Sequence, residues 1–255
     1  MSSPLPATIH NKIHDRLARL TATTTHYLAT TSATFTSIFD ELNTLGKVDA
    51  SGRSVLLSLL YAVCGDRGQA DYYLDNARRI HAPAAHLKMA RITYLMNLGY
   101  CSEALDEMRE FDMTQYGVPK LFMSSMPSNG AFHTMNSLFD QAIRMHIADL
   151  PKQPDLAALT YIMDQWGDTD DDYCSALDFA GQILREHRMF FQDNLVVEPI
   201  ESPADGSASY IRLIYKVDVD LDTSIDMTTD FVDRLARSGC KIPPSLVFEF
   251  EGTKE

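Results

Sequence analysis

The apolar residues of this chain change their spacing near residue 189, and that change bounds the folds open to it. Before that point they recur every three or four residues, as Ile9, Ile13, Leu17 and Leu20 do, which marks a helix with one buried stripe. Beyond it they alternate. Ile211, Leu213, Tyr215, Val217, Val219 and Leu221 fall on one face of an extended segment, and Arg212, Lys216, Asp218, Asp220 and Asp222 fall on the other. Two periods in this order predict a helical body followed by a smaller unit that contains strands.

In the first part, helices are expected around Phe35 to Leu45, Ser54 to Cys64, Gln69 to Ile80, Ala84 to Leu98 and Ser102 to Met113. Gly46, Gly65 and Gly99 stand where three of them end, and Pro83 opens the fourth. A threonine-rich stretch, Thr21 to Thr36, blurs the end of the first helix. Phe132 to Leu150 is amphipathic, with Met135, Leu138, Phe139, Ile143 and Ile147 on one side.

The middle helices pair and then repeat. Gly65 and Gly99 are 34 residues apart, as are Ala70 and Ala104. Leu57, Ser58 and Tyr61, then Ala70, Leu74 and Ala77, make one copy; Leu95, Gly99, Ala104 and Met108 make the second, with Arg91 where a leucine is expected. With this 34-residue helix–turn–helix period, residues 51–115 resemble two degenerate tetratricopeptide-like repeats. A third, out-of-phase candidate runs through Leu159, Tyr161, Gly167, Ala176, Ala180 and Ile183. The resemblance implies stacked helical hairpins with a grooved surface suited to a protein partner.

After residue 189, Asn194 to Ile200 reads as a strand whose Pro199 confines it to an edge or turn. Ser202 to Ser207 is turn chemistry, Tyr210 onward a half-buried strand, Ser224 to Ser238 a helix and Ser245 to Phe250 a last strand. The expected fold class is mainly α, α+β overall: a helical-hairpin body over 1–188 with a β-β-α-β unit over 189–255 docked on it.

Charge is distributed unevenly. The whole chain carries 22 Lys and Arg against 35 Asp and Glu, a net of −13. Residues 1–150 hold 13 basic and 14 acidic side chains, and residues 151–255 hold 9 and 21, so −12 of the total sits in the C-terminal two-fifths. Such a chain is unsuited to direct nucleic-acid binding, which needs clustered Lys and Arg. The asymmetry points instead to an acidic face that steers a basic protein, or to a solubilising surface. No apolar run approaches the ~18 residues that cross a membrane, and no cleavable signal pattern opens the chain. Cys64, Cys101, Cys174 and Cys240 lack the spacing of a zinc site or disulfide scaffold, which fits free thiols and a cytoplasmic location.

Candidate sites are few. His10 and His14 share a helix face, but Asn11 stands where a zinc protease needs glutamate. Asp168, Asp170, Asp171 and Asp172 fall between two helices. As a calcium loop they fail, with Tyr173 at the glycine place and Phe179 at the glutamate place, and capping of a helix that begins near Tyr173 is the simpler account. Asp218, Asp220 and Asp222 form a ladder on one strand face. Leu121, Phe122, Met123 and Met126 lie in the segment Gly117 to Gly130, where adaptable apolar side chains suit a partner surface or an irregular core.

No nucleophile motif or phosphate cradle is present, and no cofactor or metal site is expected. The expectation is a non-enzymatic interaction protein whose acidic C-terminal part engages a basic protein surface. A sharper form has it occupy a partner's basic nucleic-acid site and so inhibit that partner. A metal-assisted hydrolase built on an aspartate group and a structural or assembly subunit that self-associates are the alternatives.

Overall fold

A computed structural model describes residues 6–112, 129–147, 150, 155–191, 195–200 and 208–254. Helices α1 (Pro6–Thr23) and α2 (Ala33–Leu45) lead into α3 (Ala50–Val63), α4 (Arg67–Arg79), α5 (Ala84–Asn97) and α6 (Cys101–Arg109). Then come α7 (Phe132–Arg144), α8 (Leu156–Trp166) and α9 (Asp170–Glu186). The chain ends β1 (Leu195–Ile200), β2 (Tyr210–Val217), α10 (Leu221–Ser238) and β3 (Leu246–Gly252). The protein is thus mainly α with a small three-stranded sheet near its C-terminus. In the order β1-β2-β3, β1 pairs antiparallel with β2, and β3 lies parallel to β2 after the α10 crossover.

The helices begin and end by shared local chemistry. Ser32, Asp49, Asp66, Asp155, Thr169 and Asp220 each accept a bond from the backbone N–H three residues on, satisfying a donor that no carbonyl reaches. At the two matched glycines the exits are identical at a 34-residue offset. Gly65 N donates to Ala62 O and Asp66 N to Tyr61 O; Gly99 N donates to Met96 O and Tyr100 N to Leu95 O. Both glycines have positive φ, 76° and 67°. The same exit recurs at Gly167, and at His81, His146 and Arg188, where a side chain occupies the left-handed region. It is a general helix terminator in this chain, not the property of one repeated unit.

Two cores form. Ile13 and Leu17 of α1 and Ile38, Leu42 and Leu45 of α2 close over Leu56, Leu57 and Leu60 of α3. The larger core is continuous from α3 and α4 through α9 to Phe248 and Phe250 of β3. Ala70 and Ala104 are buried in it, as their small size at helix contacts leads one to expect. The segment that follows α9 stitches the two together. Phe190 enters the first core, Met189 and Phe191 the second, and the backbone bonds Tyr27 N to Arg188 O, Phe190 N to Thr25 O and Phe191 N to Asn97 O hold it in place. The junction between residues 188 and 189 therefore lies where the chain enters a buried strap, Met189 to Phe191.

Some element boundaries depart from expectation for physical reasons. Helix α7 stops at Arg144, where His146 turns left-handed, and Ile143 is exposed. Strand β2 stops at Val217, and Asp220 caps a helix that already includes Leu221 and Asp222. The ladder of Asp218, Asp220 and Asp222 on one strand face does not exist. The tightest crossing is between α9 and the α5–α6 turn: a Cβ on Gly181 would lie 2.0 Å from Gly99 O. Gly181→Ala should cost about 3 kcal/mol through this backbone clash, read as a lowered urea midpoint. His146→Gly, which relieves an exposed left-handed residue, should instead gain roughly 0.5–1 kcal/mol.

Candidate interaction surface

The first aspartate group is mostly built into the fold. Asp170 is buried and accepts from His133 N (3.0 Å), Thr134 N (2.8 Å) and Thr134 Oγ1 (2.7 Å), so it caps α7 from another helix. Asp168 is buried as well and accepts from Ser245 N (3.2 Å) and Ser245 Oγ (2.6 Å), with Lys241 Nζ 3.1 Å away. Tyr173 OH lies 2.7 Å from the same Ser245 Oγ, which extends this polar chain into the core. Asp168 and Asp170 therefore present no exposed acidic face: both oxygens of Asp170 and Oδ2 of Asp168 meet backbone and hydroxyl donors that would otherwise be buried unpaired, and Asp168 Oδ1 faces Lys241.

Their neighbours are more exposed yet also engaged. Asp172 completes a capping box with Thr169 and takes Lys241 Nζ at 2.7 Å. Burial pushes its carboxyl up, but Lys241 and Thr169 hold it below the usual range. Asp171 pairs with both terminal nitrogens of Arg109 at 2.8 Å, which holds its carboxyl low. Glu186, at the far end of α9, is lowered in the same way by Arg234.

Farther along, Asp218 lies 3.3 Å from Lys254 Nζ and 3.6 Å from His26 Nε2. It lines a cleft of about 580 Å³ with Thr24, Thr25, His26 and Thr253. The hydroxyls of Thr23, Thr24 and Thr253 donate to the carbonyls of Arg19, Leu20 and Val217, so none of the three is held toward His26. Asp220 is the N-cap of α10, and its carboxyl is lowered by the bond from Thr223 N. Leu121, Phe122, Met123 and Met126 lie outside the described residues. Among the described residues no three His, Cys, Asp or Glu side chains converge as a metal site. His10 instead stacks on His86, with ring centroids 6.2 Å apart.

Among the described residues, the outer side of α10 is open to solvent. Leu221, Ile225 and Val232 are 66%, 52% and 54% exposed. Asp222, Asp226 and Asp233 are exposed beside them. The helix is held from its other side by Ser224, Met227, Phe231 and Leu235, with Phe231 packed 4.4 Å from Phe248. The sequence signal was available: α10 carries two apolar stripes, where a helix covering one core needs one. Alternation that continues through Leu221 masks it.

Among the described residues no helix is long and apolar enough to cross a membrane. Removing the buried cap with Asp170→Ala should cost about 2–3 kcal/mol by leaving backbone donors unpaired, whereas Asp171→Asn at the exposed pair should cost far less. Because Asp171, Asp172 and Glu186 are held low, their stabilising effect is complete above the ordinary carboxylate range and lost as pH falls through their folded values. Urea midpoints should therefore drop below about pH 4, and by less in Glu186→Gln. Comparison of the chain with protein-family models, with curated proteins and with solved structures finds no match in any of the three.

Proposed function

We propose that this is a non-enzymatic interaction protein whose acidic C-terminal part engages a basic surface on another protein. The observation that carries this reading is the state of the carboxylates along α10. Asp222 and Asp226 are exposed and make no ion pair with any described residue, and Asp233 meets only Arg237 of its own helix. Arg234, the other cation of α10, is already shared between Asp230 and Glu186. Like charges left in a row repel one another, and a partner's Lys or Arg side chains relieve that repulsion. A basic nucleic-acid-binding site has the required charge, so occupation of such a site is the sharper form of the proposal.

The test separates α10's acids from those that maintain the fold. Asp218 and Asp220 are unsuitable targets, since one meets Lys254 and the other caps a helix. Asp222→Asn/Asp226→Asn/Asp233→Asn should keep the thermal midpoint within a few degrees while abolishing capture of a basic protein from extracts of the native source. The wild-type complex should dissociate as salt rises. Capture that is unchanged in the triple variant and insensitive to salt contradicts the proposal.

A further inference from the structure

Helix α10 is amphipathic twice over. With about 100° of rotation per residue, Leu221, Ile225, Thr229, Val232 and Ala236 follow one another at intervals of four, four, three and four residues along one outward line. All five are exposed. Met227, Phe231 and Leu235 make the inward line, buried against β3 and α9. Asp222, Asp226 and Asp233 run parallel to the outward line, about 100° around the helix from it. A seam with this spacing is the pattern by which one helix receives another, about 22 Å of it at 1.5 Å per residue.

We infer that the outward line of α10 is a docking seam for an amphipathic helix of another protein, one whose apolar stripe is flanked on one side by Lys or Arg. The inference rests on the proposed function and names the partner's form. Charge selects the occupant. A second copy of this chain, laid antiparallel and seam to seam, brings two rows of aspartates together with no spare cation on α10 to separate them. A basic helix sets its cations over Asp222 and Asp226, which lack partners among the described residues. The apolar line then supplies the buried area and the acid row the orientation.

The probe is a labelled 21-residue peptide of leucine and lysine in a heptad pattern, read by fluorescence anisotropy against the full chain. Its controls are the leucine–glutamate counterpart and a scrambled peptide of the same composition. The basic amphipathic peptide should bind, with the scrambled and acidic peptides at least tenfold weaker. Leu221→Ser/Ile225→Ser/Val232→Ser alters only exposed side chains and should keep the thermal midpoint while weakening binding at least tenfold at every salt concentration. Asp222→Asn/Asp226→Asn should remove most of the salt dependence and leave part of the affinity. Equal binding by the serine variant overturns the seam. If the asparagine variants then still lose binding, the acidic interaction of the proposed function stands without the seam. If neither set of variants matters, both readings fall. A wild-type dimer in sedimentation that the serine variant dissolves overturns the choice of occupant.

Discussion

Helix α9 is the element on which the other parts of the molecule depend, because it satisfies its neighbours' backbone as well as filling their core. Asp170 reaches the first N–H groups of α7. Asp178 accepts from Ser102 N at the start of α6, a half-buried position whose desolvation raises its carboxyl. Arg185 Nη1 donates to Leu98 O and Gly99 O in the turn between α5 and α6, while its guanidinium lies 4.0 Å from the centre of the Tyr100 ring. Helix ends buried without such bonds are costly, so the α5–α6 hairpin and α7 are assembled on α9. The absence of a side chain at Gly181 and Gly99 is what lets the helix come close enough to do this.

This arrangement divides the acidic side chains into two populations. Those on and around α9 are bound to backbone donors, to Lys241 or to Arg109, and their charge is compensated within the fold. On the outer side of α10, Asp222 and Asp226 make no ion pair with any described residue, and Asp233 meets Arg237. Net charge counts both equally, which makes −13 a poor guide to where a partner goes. The same division separates the cations, since Arg67, Arg91, Arg109, Arg212 and Arg234 all meet carboxylates. Arg91 shows how an unusual residue is accommodated: at the position where a repeat would have leucine, it joins Glu107 of α6 and lies 3.5 Å from Asp71 of α4.

Helical periodicity made the fold class and most elements legible, because a stripe such as Ile13 and Leu17 has one physical explanation. The capping role of the Thr169–Asp172 segment was legible too, since Ser, Thr and Asp before an apolar run satisfy a helix start locally. Which helix Asp170 caps was not, because that bond joins residues 36 and 37 apart in sequence. Strand β2 ends earlier than alternation predicts for a related reason. Alternation continues through Val219 and Leu221, but Asp220 offers an N-cap, and the cap prevails over the pattern. The tight exit at His146 had no glycine to announce it. The double stripe of α10 was written in the sequence, yet it becomes meaningful only once Met227, Phe231 and Leu235 are known to be the buried line.

Native-state hydrogen exchange of the full chain tests the central role of α9 most directly. If α9 holds the other elements, the amides of Ala176 to Leu184 exchange only by global unfolding, with the free energy given by urea denaturation. Exchange in the first turns of α6 and α7 then accelerates when Asp178 and Asp170 are replaced by alanine, while α1 and α2 change least. Exchange of α9 through a partial opening, with α6 and α7 still protected, would contradict the account.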